Sequence, residues 1–241
     1  MPKNRLIGLI AICLIFLGAC SKKNIYSSPK AVAESAKSVV RISVDYISED
    51  KITFSSVGRS YTATGFSIAT QNDTSFILTN QHVCNMGASV SYVIRTQSGE
   101  KVRARFIRAD SFADICLLQA VAVIQPLTLA KSNASQGDRV ITIGNPDGVF
   151  PIIVDGMVSG YHNMHMQNDS DDDGRFEVNF RAQVISAPIY QGSSGSPVIN
   201  IDGDVVGVVF AVRDGKEHIA FMVPISEVWR FVDLSEYVYM N

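Results

Sequence analysis

Over almost its whole length this chain alternates short runs rich in Val, Ile, Phe and Tyr with clusters of turn residues, and no other feature constrains its fold more. "YTATGFSIAT", "SFILTN", "SVSYVIRT", "KVRARFIRA" and "DICLLQA" fill the first half. "DRVITIGNP", "IIVDGMVSGYH", "FEVNFRAQV", "PVINI", "DVVGVVFAV" and "HIAFMVP" fill the second. Branched and aromatic side chains suit a pleated, half-buried surface. The intervening "QND", "QSGE", "SQGD", "NPDG", "IDGD" and "RDGK" supply turns. Short strands repeated in this way predict an all-β protein, a sandwich or barrels. Only "ISEVWRFVDL" near the end has helical spacing, with Ser226 as its expected N-cap. "AVAESAKSVVRISVDYI" reads as a short helix running into a strand.

The first residues follow a different logic. Lys3 and Arg5 precede an apolar run from Leu6 to Leu17, the pattern of an export signal. That run is shorter than the roughly 20 residues a membrane-spanning helix needs. It ends in Leu17-Gly18-Ala19-Cys20, which resembles the cleavage and acylation site of bacterial lipoproteins. The alternative is an uncleaved N-terminal membrane anchor. On the lipoprotein reading residues 1–19 are a signal peptide and 20–30 a tether lipidated at Cys20, with Ser21 in place of the Asp that marks retention in the inner membrane. The expected location is the bacterial cell envelope, on a membrane and facing the periplasm or the exterior. Cys13 leaves with the signal, so Cys84 and Cys116 remain as an even pair in an oxidising setting. A disulfide and two free thiols are both open. The formal net charge of -2 gives no footprint for nucleic acid.

"IYQGSSGSPVIN" raises the question of chemistry. Serines among glycines usually make a flexible linker, yet this stretch lies between strand-like runs. A serine hydroxyl is a useful nucleophile only beside a base, commonly a histidine held by a buried carboxylate. His82 directly follows the apolar run "SFILTN", where a strand end can project it into a cleft. His162 and His165 lie in a polar stretch read as a loop with no third metal ligand in view, and His218 reads as an exposed edge residue. Asp114 precedes the apolar "ICLLQA", and a carboxylate buried there would need a partner such as a histidine N–H. The lack of strand–helix–strand alternation counts against an α/β-hydrolase, another home of serine nucleophiles.

Together, "TNQHV", "DICLL" and "GSSGSP" resemble the histidine, aspartate and serine motifs of trypsin-like serine proteases, in that family's chain order. "IGNPDG", "GMVSGY" and "IAFMVPISEV" resemble its HtrA/DegP branch, without the PDZ domain often found there. The resemblance runs from about Ala31 to Leu234. It implies two packed β-barrels with the site between them, here 31–130 and 131–241, the second with a short C-terminal helix. It implies a serine endopeptidase acting on proteins, unfolded or damaged ones above all, with no cofactor and no metal, and it allows a homo-oligomer. Carried over by register, the nucleophile is Ser194, the base His82 and the orienting carboxylate Asp114. The N–H groups of Gly192 and Ser194 form the oxyanion hole. Ile189, Tyr190, Val209, Phe210 and Ala211 wall the pocket for the residue before the cut, an apolar wall, with Asp155 the one acidic rival. Cys84 and Cys116 each lie two residues after a triad position, so a disulfide between them is compatible with the triad.

The chain departs from the pattern at Ser193, where Asn or Asp is common, and at Ser196, where glycine is. Asp169, Asp171, Asp173 and Gly174 resemble the start of a calcium loop. Phe180 stands where its closing Glu should be, so a solvated acidic loop is the preferred reading. Two readings compete with the protease: an inactive homologue that binds proteins, and an envelope lipoprotein that uses the fold as a scaffold.

Overall fold

The computed structural model describes residues 29–50, 55–84, 89–168, 176–212 and 219–232. The proposed signal, Cys13, Cys20, the acidic stretch 169–174 and His218 lie outside them. Among the described residues, twelve strands form two closed six-stranded barrels. The first contains β1 (Val39–Asp50), β2 (Ser55–Gln71), β3 (Thr74–Thr79), β4 (Ser91–Arg95), β5 (Lys101–Asp110) and β6 (Ile115–Ala120). They are ordered β1-β2-β3-β6-β5-β4, and pairing of β1 with β4, Ile42 opposite Ile94, closes the ring. The second contains β7 (Arg139–Gly144), β8 (Ile152–Asn168), β9 (Phe176–Ile185), β10 (Pro197–Ile199), β11 (Val205–Val212) and β12 (Ala220–Pro224). Its order is β10-β11-β12-β9-β8-β7, closed where Val198 of β10 faces Thr142 of β7. Closure leaves neither sheet with a free edge.

Side-chain alternation along the strands sorts the apolar residues into three cores. Val40, Ile42, Val44, Ile77, Ile94 and Leu118 fill the first barrel. Val140, Val158, Ile185, Val198, Val209 and Met222 fill the second. The third and largest cluster takes residues from both barrels, among them Phe66, Leu78, Ile115, Leu117, Ile143, Phe180, Val208 and Phe210. The run "ICLLQA" is nearly all apolar because β6 is covered on both sides. Ile115 and Leu117 face the second barrel, and Cys116, Leu118 and Ala120 face the first barrel's interior.

The segment joining the barrels is hydrogen-bonded to each. Leu127 N–H donates to Ser67 O at 2.9 Å, and Ala130 N–H to Val205 O at 2.9 Å. Two helices pack onto the shared cluster. α1 (Pro29–Ala36) contributes Val32 and Ala36, and α3 (Ile225–Phe231) contributes Ile225, Val228 and Phe231. Ser226 is not the cap of α3. Pro224 holds that position, and Ser226 lies inside the first turn. Its N–H is instead received by the Asn133 side-chain oxygen at 2.9 Å. A side chain 93 positions away thus does what a local serine was expected to do.

One other expectation changes, that of the two histidines read as loop residues, while Phe180 lies on a strand as its run predicts and His82 lies just past a strand end. His162 and His165 lie on β8, opposite Ala182 and Asn179 of β9, and not in a loop. Phe180, at the closing position of the supposed calcium loop, is a strand residue of β9, buried with its ring 5.3 Å from that of Phe210. His82 stands on a one-turn helix, α2 (Gln81–Cys84), which follows the end of β3.

Candidate active site

Asp114 has a backbone φ of 52° and is fully buried at the mouth of β6. A carboxylate out of water must have its lone pairs occupied, and His82 occupies them from two directions. The His82 backbone N–H donates to Oδ1 at 2.9 Å, and Nδ1 lies 3.1 Å from Oδ1 and 2.8 Å from Oδ2. Asn80 Nδ2 donates to the Asp114 carbonyl at 3.0 Å, joining the end of β3 to the start of β6. The imidazole keeps one third (33%) of its surface exposed while the carboxylate has none. Burial favours the neutral ring, but the charge of Asp114 and its hydrogen bond outweigh that, so the His82 pKa is raised.

α2 is too short to be stable alone and is held by its surroundings. Cys84 is disulfide-bonded to Cys116, with Cα atoms 6.4 Å apart. Tyr92 Oη donates to Cys84 O at 2.7 Å, and Tyr61 Oη donates to Val83 O.

The Gly/Ser stretch of the second barrel is a tight, well-bonded turn. Ser193 N–H donates to Tyr190 O at 3.1 Å, and Gly192 has φ 91°. An i to i+3 bond with positive φ only at the third residue defines a type II turn over 190–193. A Cβ on Gly192 would collide with the carbonyl oxygen of Asn145, so only glycine fits. The Gln191 carbonyl accepts the Asp147 N–H at 2.8 Å. In a trans peptide the N–H points opposite to the carbonyl, so the Gly192 N–H faces away from that bond. The Ser193 carbonyl likewise accepts the Ser196 N–H at 3.0 Å, which turns the Ser194 N–H the other way. No described residue accepts from the Gly192 or Ser194 N–H.

Thr64 of β2 connects this turn to the first barrel. Its N–H donates to Ser194 O at 2.9 Å, and its own carbonyl accepts the Thr79 hydroxyl at 2.8 Å. Thr79 is the last residue of β3, just before His82. A Cβ on Gly195 (φ 85°) would run into both that carbonyl and that hydroxyl, so this close approach of the barrels requires the second glycine of "GSSGSP". Ser194 itself is half-buried between the buried Ser193 and Gly195. Ser196, fully buried, lies against Gly144, and its hydroxyl has no partner among the described residues.

The five residues expected to form one pocket wall are not grouped. Ile189 and Val209 belong to the core of the second barrel, whereas Phe210 packs between the barrels against Phe180 and Phe221. The division follows strand alternation, which points Val209 and Phe210 to opposite faces of β11. Ile189 and Tyr190 line a cavity of about 60 Å³ with Pro188, Thr142, Ile152 and Val154. Ala211 pairs with Phe221 on the strand; its side chain is outside the described residues. Asp155 is 65% exposed and ion-paired to Arg139. It alternates with Ile152 and Val154 along β8, so it faces away from this cavity.

Sequence reasoning did not find Thr64 or the framework role of Asn145. A threonine in a strand is ordinary β composition, and only the fold shows what its hydroxyl meets.

Residues 63–208 match the trypsin-like peptidase domain family, and the chain belongs to that family. Among curated proteins it is similar to the "Serine protease HtrA-like" protein of Staphylococcus aureus, 25% identical over 211 residues, 84% of this chain. It spans about a quarter (27%) of that relative's length. Among solved structures it is similar in fold to the Rv3671c protease of M. tuberculosis in its active form. The TM-score is 0.66 with 24% identity, covering 83% of this chain and 81% of that one. A serine endoprotease from Yersinia pestis gives a TM-score of 0.61 with 22% identity, over 83% and 63% of the two chains.

Proposed function

We infer that this protein is a serine endopeptidase that cuts proteins through an acyl-enzyme formed on Ser194. The single observation that carries the reading is the buried Asp114 carboxylate engaging both the backbone N–H and Nδ1 of His82, in a member of the trypsin-like peptidase family. Asp114 fixes the tautomer in which Nδ1 carries the hydrogen, leaving Nε2 as the base. Ser194 Oγ attacks the scissile carbonyl carbon and its proton passes to His82 Nε2. The C–N bond then breaks and the imidazolium returns the proton to the leaving amine. Water, deprotonated by the same nitrogen, hydrolyses the ester and restores Ser194. The N–H groups of Gly192 and Ser194 receive the oxyanion in both halves, as preorganised dipoles that need no reorientation when charge develops.

The residue before the cut is small or medium and apolar. Pro188 and Ile189 lead into the turn, and Asp155, the acidic rival named from the sequence, is engaged by Arg139. Apolar residues are mostly buried in folded proteins, so unfolded chains are the substrates. Export and acylation at Cys20 place this activity on a bacterial envelope membrane, a reading supported by the basic start, the short apolar run and the Leu-Gly-Ala-Cys ending. The test is cleavage of a peptide library by purified protein beside Ser194→Ala. Cuts after Val, Ala or Leu that vanish in the variant support the reading, and a library left intact by the wild type contradicts it.

A further inference from the structure

We propose that the side-chain hydroxyl of Thr64, on the first barrel, is the positioning group that holds the oxyanion turn of the second barrel in its working conformation. The proposal rests on the protease reading and deepens it.

Thr64 is fully buried, and its hydroxyl has both roles filled across the barrel interface. As a donor it meets the Gly192 carbonyl at 2.8 Å, and as an acceptor it receives the Asn145 N–H at 3.0 Å. Both partners belong to the second barrel, on two separate segments. One is the turn whose Gly192 N–H would meet the substrate oxyanion. The other, through the Asp147 N–H, holds the Gln191 carbonyl at 2.8 Å. The Gln191–Gly192 peptide is the unit whose rotation would convert the type II turn to type I and carry the Gly192 N–H away from the oxyanion. Thr64 therefore fixes Gly192 directly, and fixes the segment that orients the preceding peptide.

Each bond has an independent geometric check. The Thr64 backbone is anchored by its N–H to Ser194 O at 2.9 Å and its carbonyl to Thr79 Oγ1 at 2.8 Å, so the hydroxyl is presented from a rigid support. One hydroxyl offers one donor and accepts through its lone pairs, and the two bonds observed use both capacities. Without the hydroxyl, the Gly192 carbonyl and Asn145 N–H lose their partner in a buried place, and the turn is free to rearrange to satisfy them. Thr64 touches no reacting atom. Its effect on the chemistry passes through Gly192, where a displacement of about 1 Å can cost on the order of a hundredfold.

The experiment compares full-length protein with Thr64→Val, Thr64→Ala and Thr64→Ser on one apolar peptide substrate. Active sites are counted by exhaustive fluorophosphonate labelling, and folding is followed by thermal melting. The expected result is a loss of about tenfold to a hundredfold in kcat for Val and Ala, with KM within about threefold. Thr64→Ser restores kcat to within about threefold of the wild type. Affinity for a peptide aldehyde, whose hemiacetal oxygen seeks the same N–H groups, falls by the same factor as kcat/KM. If Thr64→Val does not fold, Thr64→Ala, which only removes atoms, carries the comparison with Thr64→Ser. Wild-type kcat in the folded Val or Ala variant overturns the proposal, and so does a loss that Thr64→Ser leaves unrepaired. A wild-type protein that never labels at Ser194 overturns instead the protease reading on which the proposal rests.

Discussion

Asp114 and His82 are joined twice: Oδ1 accepts the histidine's backbone N–H at 2.9 Å, and Oδ2 lies 2.8 Å from Nδ1 of the same residue. The backbone bond sets where the histidine stands, and the side-chain bond sets its tautomer and charge. If the pair serves Ser194, removal of either reacting group should be severe. Ser194→Ala and His82→Ala are each expected to lower kcat by roughly four to six orders of magnitude, while Ser193→Ala and Ser196→Ala keep most activity. Steady-state hydrolysis of a single peptide measures all four, and a dead Ser193→Ala beside an active Ser194→Ala contradicts the register.

The pH profile follows from the same pair. His82 must be neutral to accept a proton, and Asp114 raises its pKa above the ordinary 6.5. Activity is therefore low in acid and rises through a midpoint above that value. In Asp114→Asn the charge that raises the pKa is gone, so the midpoint moves down from that of the wild type while kcat falls by about four orders of magnitude. A pH series of kcat/KM on both proteins checks the direction, and an upward shift in the variant contradicts it.

The Cys84–Cys116 bond closes a loop with a sequence separation of 32. The loop-entropy estimate gives a contribution of about 3–4 kcal/mol. Because the bond ties α2 to β6, Cys84→Ser with Cys116→Ser is expected to lower the melting temperature and to reduce activity at temperatures where the double variant is still folded. Denaturant unfolding of both forms measures it. Equal stability of the two forms contradicts a role for the bond in holding the histidine.

Much of this was legible in the sequence, for reasons that can be stated residue by residue. His82 and Asp114 could be found because each borders an apolar strand, where a polar group needs a purpose. The barrels could be expected because Val- and Ile-rich runs alternate with turn chemistry. Contacts between residues distant in sequence leave no local signal. Asn133 serves the first turn of α3 from 93 positions away, so Ser226 looked like the cap. Alternation along β11 points Val209 and Phe210 to opposite faces, so the residues expected as one wall divide between two cores. Thr64 resembles any strand threonine until the barrels close on it.

Specificity gives a further expectation. Cleavage should favour Val, Ala or Leu before the cut and be poor after Lys or Arg, because an apolar site does not offset desolvation of a charge. Asp155→Ala should leave this preference unchanged, since that carboxylate is already paired with Arg139. Profiling of cleaved proteome-derived peptides tests both statements, and a Lys or Arg preference lost in Asp155→Ala contradicts them.

The most direct test of the central claim is site-resolved labelling of the native protein with a fluorophosphonate, read by mass spectrometry of its peptides. The account predicts one adduct per molecule, on Ser194, formed rapidly in the wild type and nearly lost in His82→Ala. An adduct on Ser193 or Ser196, or a wild-type protein that reacts no faster than His82→Ala, would contradict it.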